Sequence, residues 1–286
     1  MTPNPTERTT GSTVAGDSTG LPTVPDGNGT PGSGATGSGH AHPWQGIRLE
    51  HLDAGVSRLV IDNPTRMNAV DADVFREIGE AARHLRRDGT RALVLTGAGD
   101  RAFCAGYDLA ALPALRATTV PAFLDIEDTA SEAVQALHDL PFPVVAAVNG
   151  AASGGGLSLA LAADVRLGVR RASFNAAFVK VGFSIGELGT SWMLPRVVGP
   201  GMAAELAFTG RVVRSDEALA IGLLDRIVDT TADDAVAALQ AEAVALATAY
   251  AAPDRRGTRI GKRSLGRAGE TPSYEVAVRQ AFGDRA

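Results

Sequence analysis

Apolar and polar positions alternate at the start of the folded part of the chain and then change period. Ile47–His51 and Val56–Ile61 alternate at every second residue on either side of Asp53–Gly55, which is typical of a β-hairpin. After Asp71 the apolar residues recur at helical spacing. This pattern predicts a helix over residues 72–87 with Asp71 as its N-cap.

Short β-branched runs separated by longer helical patterns fill the next part of the chain. Strands are predicted at residues 92–96, 144–148 and 164–169, and helices at residues 121–140 and 155–163. Because strands alternate with helices over about 130 residues, we expect a mainly parallel sheet with right-handed crossovers. After Pro200 the pattern is nearly all helical, and its longest run covers residues 232–251.

The first residues of the chain have a different composition. Of the first 40 residues, 27 are Gly, Ser, Thr or Pro, and almost none is large and apolar. Such a segment buries too little surface to offset the entropy of ordering, so residues 1–43 are predicted to be a disordered tail. The tail contains a Gly-x-Gly-x-x-Gly motif at residues 32–37, but no strand precedes it and no helix follows, so it is not interpreted as a dinucleotide site.

Composition narrows the functional classes. The chain has 286 residues, a net charge of −5 and 45% apolar residues, which suits one sizeable α/β domain. No stripe rich in Lys and Arg indicates nucleic-acid binding. A single cysteine excludes an internal disulfide and fits a reducing compartment, and no apolar stretch has the length of a membrane helix. We therefore expect a cytoplasmic protein without a membrane or nucleic-acid partner.

Two glycine-bearing turns are the strongest candidates for chemistry. The first, at residues 103–109, places Gly106 where a tight bend exposes the backbone N–H of Tyr107. In the second, Gly154, Gly155 and Gly156 open a helix, where N–H groups lack acceptors. Both turns are predicted at the same edge of a parallel sheet, where ligand sites gather. Together they predict two N–H donors for one carbonyl oxygen, an oxyanion hole.

Four ordered motifs resemble those of the crotonase family, the enoyl-CoA hydratases and isomerases. They are Asn-Pro-Thr-Arg-Met-Asn-Ala at 63–69, Phe-Cys-Ala-Gly-Tyr-Asp-Leu at 103–109, Pro-Val-Val-Ala-Ala-Val-Asn-Gly at 143–150 with the three glycines at 154–156, and Leu-Pro-Arg-Val-Val-Gly at 194–199. The match covers roughly residues 47–280. The resemblance implies an α/β fold with a ββα spiral core at 44–200 and a C-terminal helical trimerisation region at 201–286. It also implies trimers or dimers of trimers.

The same resemblance implies an acyl-CoA thioester as substrate, with coenzyme A as part of it and no metal or redox cofactor. The thioester oxygen is expected to be held by the N–H groups of Tyr107 and Gly155. Residues expected to contact the CoA moiety or the acyl group are Arg66, Asn68, Ala69, Ala105, Gly106, Asp108, Leu109, Gly154, Phe178 and Phe183. The Tyr107 phenol is a further candidate for lining the acyl pocket.

The sequence departs from the hydratase pattern at the acid/base positions. The two glutamates of family hydratases correspond to Ser158 and Phe178 in this chain. Glu187 stands nine residues before Arg196 and matches an aspartate used by dienoyl-CoA isomerases and by 4-chlorobenzoyl-CoA dehalogenase. An apolar wall is expected around it, formed by Phe178, Val181, Phe183, Ile185, Leu188 and Trp192. Glu187 is therefore the candidate acid/base, and a first-turn helix residue that complements the dipole is the alternative.

Several functions stay open at this point. One carboxylate that removes a proton at one carbon and returns it at another favours an enoyl-CoA isomerase. A hydratase that uses Glu187 and a water ordered by Ser158 is the first alternative, and hydrolysis, dehalogenation or ring chemistry is another. A CoA-binding or oligomeric homologue without catalysis is the contrasting class.

Other chemically suggestive residues have simpler interpretations. Ser184 lies in a Gly-x-Ser-x-Gly motif, but no histidine follows it in the order that a hydrolase triad requires. Cys104 is expected to be a small buried residue. The five histidines fall singly without metal-ligand spacing, and Asp164 is expected to be a structural cap. Lys262 is either a ligand for CoA phosphates or a solvated helix residue.

Overall fold

The computed structural model describes residues 44–228 and 234–270, together with Ser273 and Val276. Its strands are β1 (Ile47–His51), β2 (Val56–Ile61), β3 (Ala92–Gly97), β4 (Ala102–Cys104), β5 (Val144–Val148), β6 (Ala151–Ser153), β7 (Val165–Val169), β8 (Ser173–Asn175), β9 (Val213–Arg214) and β10 (Arg226–Val228). Its α-helices are α1 (Ala72–Leu85), α2 (Leu112–Ala117), α3 (Val120–His138), α4 (Gly155–Leu161), α5 (Thr190–Val198), α6 (Pro200–Thr209), α7 (Ser215–Ala220), α8 (Ala235–Ala251) and α9 (Arg255–Ala268).

Some sequence predictions fall outside the described residues. These are the tail at 1–43 with its glycine motif at 32–37, the first residues of the helix predicted at 232–251, and most residues beyond 270. The domain boundaries at 43 and 200 therefore stay predictions.

The main sheet has the predicted parallel character. Its strand order is β1-β2-β3-β5-β7-β10, with β1 antiparallel to β2 and every other neighbouring pair parallel. Every residue of β3 and β5 is buried, as expected for continuous apolar runs inside a covered sheet. Helix α8 packs along β3, β5 and β7 through one face on which Leu239, Ala243, Ala247 and Ala251 recur at every fourth position, and the small alanine side chains allow close approach.

A second, four-stranded sheet has the order β4-β6-β8-β9 and was not predicted. Its strands are two or three residues long, too short to show a period in the sequence. The region after Pro200 supplies β9 to this sheet and β10 to the main sheet, so it is less completely helical than predicted. Strand β4 carries the first glycine turn, and β6 leads into the second.

Two buried asparagines join β4 to the ends of the central strands. Asn149, just after β5, donates from Nδ2 to the carbonyl oxygens of Gly97 at 2.9 Å, Gly99 at 2.8 Å and Ala102 at 3.1 Å. Its Oδ1 accepts from the N–H of Gly97 at 3.2 Å. Asn68 donates to the same Ala102 oxygen at 2.8 Å. Since buried polar groups are costly when unpaired, this network holds the two turns in one relative position.

None of the described helices is long and apolar enough by itself to cross a membrane. The bent pair Ala235–Ala251 and Arg255–Arg267 passes the test of length and composition only when the two are taken together.

The predicted N-cap of α1 is confirmed and gives a stability prediction. The Asp71 carboxylate accepts a hydrogen bond from the N–H of Val74 at 3.0 Å. Replacing Asp71 with alanine should lower the free energy of unfolding by about 1 kcal/mol, because a first-turn N–H loses its partner. Asp73→Ala is the matched control, since Asp73 makes only an exposed ion pair with Arg76, and its effect should be a few tenths of that. Denaturant unfolding that shows equal losses for both variants would contradict the capping role.

Candidate active site

The two glycine turns lie against each other at the edge of the sheets. Gly106 has φ +92°, and a Cβ atom added to it would lie 2.5 Å from the carbonyl oxygen of Ser153 and 3.4 Å from the nitrogen of Gly155. Only a residue without a side chain fits this approach and this backbone conformation. The sequence prediction that the two turns sit side by side is therefore matched by the fold.

The backbone N–H groups of Tyr107 and Gly155 have no acceptor among the described residues. Val70 bridges the first turn, since its N–H donates to Gly106 O at 2.9 Å and its carbonyl accepts from Asp108 N at 2.8 Å. The intervening N–H of Tyr107 points away from this bridge. Gly155 is the first residue of α4, where N–H groups have no partner within the helix. The close approach of Gly106 to Gly155 N brings both of these N–H groups to the same edge of the structure.

The segment that carries Glu187 covers this arrangement. A Cβ atom added to Gly155 would lie 3.2 Å from Leu188 Cδ1 and 3.2 Å from Phe75 Cζ, so these two side chains pack against the N-terminus of α4. Leu188 is buried and has φ +54°, an uncommon conformation for a residue with a side chain. Glu187 precedes it in a short 3-10 turn, Glu187–Gly189, and is half-buried.

A second carboxyl group, which sequence reasoning missed, meets Glu187 here. Glu127 on α3 lies within hydrogen-bonding reach of the Glu187 side chain, and α3 packs against the 3-10 turn. Burial, together with this neighbouring carboxyl, raises the pKa of Glu127 to about 8. The signal in the sequence was weak, because Glu127 is one of several acidic residues on an otherwise amphipathic helix.

The Tyr107 side chain belongs to the same cluster. Burial raises the pKa of its phenol, and the negative charges of Asp71, Glu127 and Asp108 raise it further. The phenol therefore stays protonated throughout the neutral range. Tyr107, Glu127 and Glu187 bring a hydroxyl donor and two carboxyl groups to one place beside the two backbone N–H groups.

Sequence comparison settles the family of the chain. The sequence model described as enoyl-CoA hydratase/isomerase matches residues 51–275. The chain belongs to this family. A probable enoyl-CoA hydratase of Mycobacterium leprae is 38% identical over 221 residues, which are 73% of this chain and 71% of that protein. The 1,2-epoxyphenylacetyl-CoA isomerase of Escherichia coli is 38% identical over 191 residues, 65% of this chain and 72% of that one.

Solved structures confirm the crotonase fold of this family. The crystal structure of enoyl-CoA hydratase from Mycobacterium smegmatis matches with a TM-score of 0.75 at 29% sequence identity, covering 85% of this chain and 90% of that chain. The α/β class, the spiral core and the helical C-terminal region predicted from the sequence agree with this likeness. Assembly into trimers stays a prediction.

Neither of the two positions that carry glutamates in family hydratases offers an exposed polar group in this structure: Ser158 is fully buried, and Phe178 is apolar. The hydroxyl of Ser158 is fully buried, lies 2.6 Å from Thr190 Oγ1 and donates to Gly154 O at 3.3 Å. It is therefore committed to the packing of α4 against α5 and offers no exposed group to order a water. Phe178 is buried in a 3-10 turn, and Phe183 stacks on Phe123 of α3 with ring centroids 5.9 Å apart.

The residues expected to contact CoA form the rim of the first turn. Arg66 pairs with the largely buried carboxylate of Asp108 at 2.5 Å, and Ala105 N–H donates to Met67 O at 3.0 Å. Among the other residues of this rim, Gly106 is buried, Ala69 is half-buried and Leu109 is 67% exposed. Asn68 is fully buried and all its side-chain hydrogen bonds go to the protein, so only its backbone remains available to a ligand.

Trp192 does not belong to the apolar wall that the sequence predicted around Glu187. Its ring stacks under the Arg196 guanidinium at 3.8 Å and meets the His138 ring edge-on at 5.5 Å. It lies on the outer face of α5 and is 38% exposed. The reason is helical geometry: Trp192 and Arg196 share one side of the helix, whereas Met193 and Leu194 face the core.

The other candidate groups have structural roles. Burial raises the pKa of the Cys104 thiol to about 12, which makes it unreactive. Ser184 Oγ accepts from the N–H of Gly186 at 2.9 Å within its own loop. Asp164 accepts from the N–H of Val144 at 2.8 Å, as expected for a cap, and Lys262 pairs with it at 2.8 Å. Lys262 is thus turned inward and fits neither of its two sequence interpretations.

The structure also brings together three groups that the sequence spacing did not connect. His51 Nδ1 and His84 Nε2 lie 3.8 and 3.7 Å from Asp88 Oδ2, a set that could hold a metal ion. Asp88 and both histidines lie at the ends of β1 and α1 and share no residue with the site described above.

Proposed function

We propose that this chain is an isomerase-like enzyme for enoyl-CoA thioesters, with Glu187 as the acid/base that moves a proton between two carbons. The observation that carries the proposal is the pair of N–H groups at Tyr107 and Gly155, which have no acceptor in the described part of the chain and lie beside the segment that contains Glu187. The replacement of the hydratase glutamates by Ser158 and Phe178 supports a shift of the double bond over the addition of water.

The proposed chemistry follows from these groups. Two N–H donors polarise the thioester carbonyl and stabilise the enolate oxygen, and one such donor typically accounts for about 2.7–4 kcal/mol. Glu187 takes a proton from one carbon, and the electron pair of the broken C–H bond moves into the enolate. The same carboxyl returns the proton at the other end of the conjugated system. The double bond shifts and the composition of the substrate does not change.

The remaining ligand contacts belong to the same proposal. Coenzyme A enters as part of the substrate, with its binding assigned to the rim around Arg66 and Asp108. Phe178 and Phe183 are assigned to the acyl group because their rings give an apolar lining. Proton transfer and carbonyl polarisation are complete with protein groups, so the proposal includes no metal or redox cofactor.

A hydratase is the second candidate, and a specific observation favours it. Addition of water to a double bond commonly uses two carboxyl groups, and Glu127 supplies a second one beside Glu187. The probable hydratase of Mycobacterium leprae, 38% identical to this chain, also supports it.

The two candidates predict different products. We expect the protein to convert a 3-enoyl-CoA in D₂O into the 2-enoyl isomer, with deuterium appearing at the α and γ carbons. A 2-enoyl-CoA offered in a parallel reaction should give no 3-hydroxyacyl-CoA. Mass spectrometry and NMR of the products distinguish the outcomes. Hydroxyacyl product without exchange of the 3-enoyl ester would favour the hydratase, and tight binding of both esters without turnover would favour a non-catalytic homologue.

A further inference from the structure

Two pairs of residues hold α3 against the loop that leads to α5. Phe123 stacks on Phe183 with ring centroids 5.9 Å apart and planes 2° from parallel. Glu127 follows Phe123 by one helical turn, so it lies on the same face of α3. Glu187 follows Phe183 along the facing loop. The aromatic pair therefore fixes the position at which the two carboxyl groups meet.

The two carboxyl groups need a proton between them. Glu127 Oε2 is buried and has no hydrogen-bond partner among the described residues. The Glu187 carboxyl is the neighbouring group that acts on Glu127, and an ionised carboxylate is only an acceptor. A hydrogen bond between two such groups forms only when one of them is protonated. Two ionised carboxylates at this distance would repel each other in a partly desolvated place.

The surroundings of Glu127 are short of positive charge. The ionisable groups that act on it are Glu187 from the facing turn, Asp128 on its own helix and the Tyr107 phenol. Helix α4, which also packs against α3, has no ionisable side chain. On α1, Arg83 lies near Ala133, further along α3. The other charged side chains of α1 have partners elsewhere: Asp73 with Arg76, Glu77 with the N–H groups of Gln45 and Gly46, Glu80 with Trp44, and His84 with Asp88.

We propose that Glu127 is a positioning residue that holds one proton shared with Glu187 and so keeps the Glu187 side chain oriented toward the thioester pocket. The orientation part rests on the proposed function, whereas the shared proton is a property of the free protein. During the reaction Glu127 keeps its own proton. Glu187 accepts the proton from the first carbon, and the electron pair of the broken C–H bond stays with the substrate. Glu187 then returns the proton to the second carbon, so Glu127 undergoes no net change.

The environment decides which of the two groups keeps the proton. Burial favours the neutral form of Glu127 and raises its pKa to about 8. Glu127 is therefore neutral at neutral pH and becomes charged as the pH rises through about 8. Because the pKa is raised in the folded state, the associated stability is present below the ordinary glutamate pKa and is lost as pH rises through about 8.

Titration of the free protein tests the shared proton directly. With glutamate labelled with ¹³C at the side-chain carboxyl, the Glu127 signal is identified by its absence in Glu127→Gln. We expect this signal to titrate near pH 8 and to move down toward the ordinary glutamate range in Glu187→Gln. A Glu127 signal that titrates in the ordinary range in the wild-type protein overturns the proposal, whatever reaction the protein performs.

The pH profile of turnover tests the effect on Glu187. Wild-type kcat/KM should fall as pH rises through about 8, where the shared proton is lost. Glu127→Gln donates an amide hydrogen bond to Glu187 at every pH, so it should keep neutral-pH activity within about threefold and lose this basic limb. Glu127→Ala provides no donor and should lower kcat at least tenfold. The exposed Asp125→Asn, which removes one charge from the same helix, should keep the wild-type profile.

The outcomes separate this inference from the proposed function. If Glu127 titrates near pH 8 and this titration depends on Glu187, but the protein does not isomerise the 3-enoyl ester, the proposed function is contradicted and the shared proton is supported. A basic limb that persists unchanged in Glu127→Gln overturns the positioning role, and so do equal losses of kcat in the glutamine and alanine variants.

Discussion

Replacing Glu187 with glutamine is expected to lower kcat for the double-bond shift by about 10²–10⁴-fold, the usual contribution of a general acid/base. The amide occupies nearly the same volume and can still hydrogen-bond to Glu127, so the fold and KM for the CoA ester should change little. Deuterium exchange at the α and γ carbons should be lost together with isomerisation, since both require the same proton transfer. Product NMR in D₂O measures the two losses in one experiment.

Glu132→Gln is the matched control for this change. Glu132 is an exposed glutamate on α3, so the variant loses the same charge close to the site without touching it. Its kcat should equal that of the wild-type protein. Exchange that continues at the wild-type rate in Glu187→Gln would remove Glu187 from the mechanism.

Replacing Gly156 with alanine is expected to damage both stability and activity. A Cβ atom at this position would lie 2.0 Å from the carbonyl oxygen of Cys104 and 2.9 Å from its Cβ, which forces α4 away from β4. Overpacking of this kind lowers the free energy of unfolding by up to about 3 kcal/mol, which lowers Tm by roughly 6–12 °C for a domain of this size. The same displacement separates the N–H groups of Tyr107 and Gly155. A shift of about 1 Å between catalytic groups can lower kcat about 10²-fold.

Gly201→Ala provides the control for a glycine-to-alanine change in a helix. Gly201 lies in α6 with no heavy atom within 4 Å of an added Cβ, so alanine should stabilise the protein by up to about 1 kcal/mol. Thermal unfolding of the two variants separates the clash from the intrinsic preference of the helix. A Gly156→Ala protein as stable and active as wild type would show that the contact with Cys104 does not fix the two turns.

The sequence predicted the elements that have long and regular patterns. The hairpin of β1 and β2, helix α1 with its Asp71 cap, and the buried strands β3 and β5 all have enough residues to show a period. The second sheet was missed because strands of two or three residues leave no period to read. Its pairing depends on the asparagine network around Ala102, which becomes visible only when distant segments meet.

The candidate site was predicted only in part for the same reason. The glycine turns have local signatures, so Gly106 and Gly155 were found from the sequence alone. Glu127 was missed because its environment comes from the packing of α3 against the Glu187 turn, which no local pattern indicates. Asn68 was assigned to the ligand by its motif, and Trp192 was assigned to the apolar wall around Glu187 by its position in the chain. The Asn68 side chain instead bonds to carbonyl oxygens inside a buried turn, and the Trp192 ring lies on the outer face of its helix. Side-chain torsion angles and the rotation of a helix about its axis decide such placements, and neither can be read from a motif.

The division of the site between two kinds of element has an evolutionary consequence. The N–H groups of Tyr107 and Gly155 are backbone atoms at the edges of the sheets, and no substitution of a side chain on α3 or in the Glu187 turn removes them. The carboxyl groups of Glu127 and Glu187 come from these two outer segments. Under the proposed function, thioester activation can therefore be inherited unchanged while the proton chemistry diversifies through a few point mutations. Laboratory evolution of new reactions in this chain should begin with libraries at 123, 127, 183 and 187.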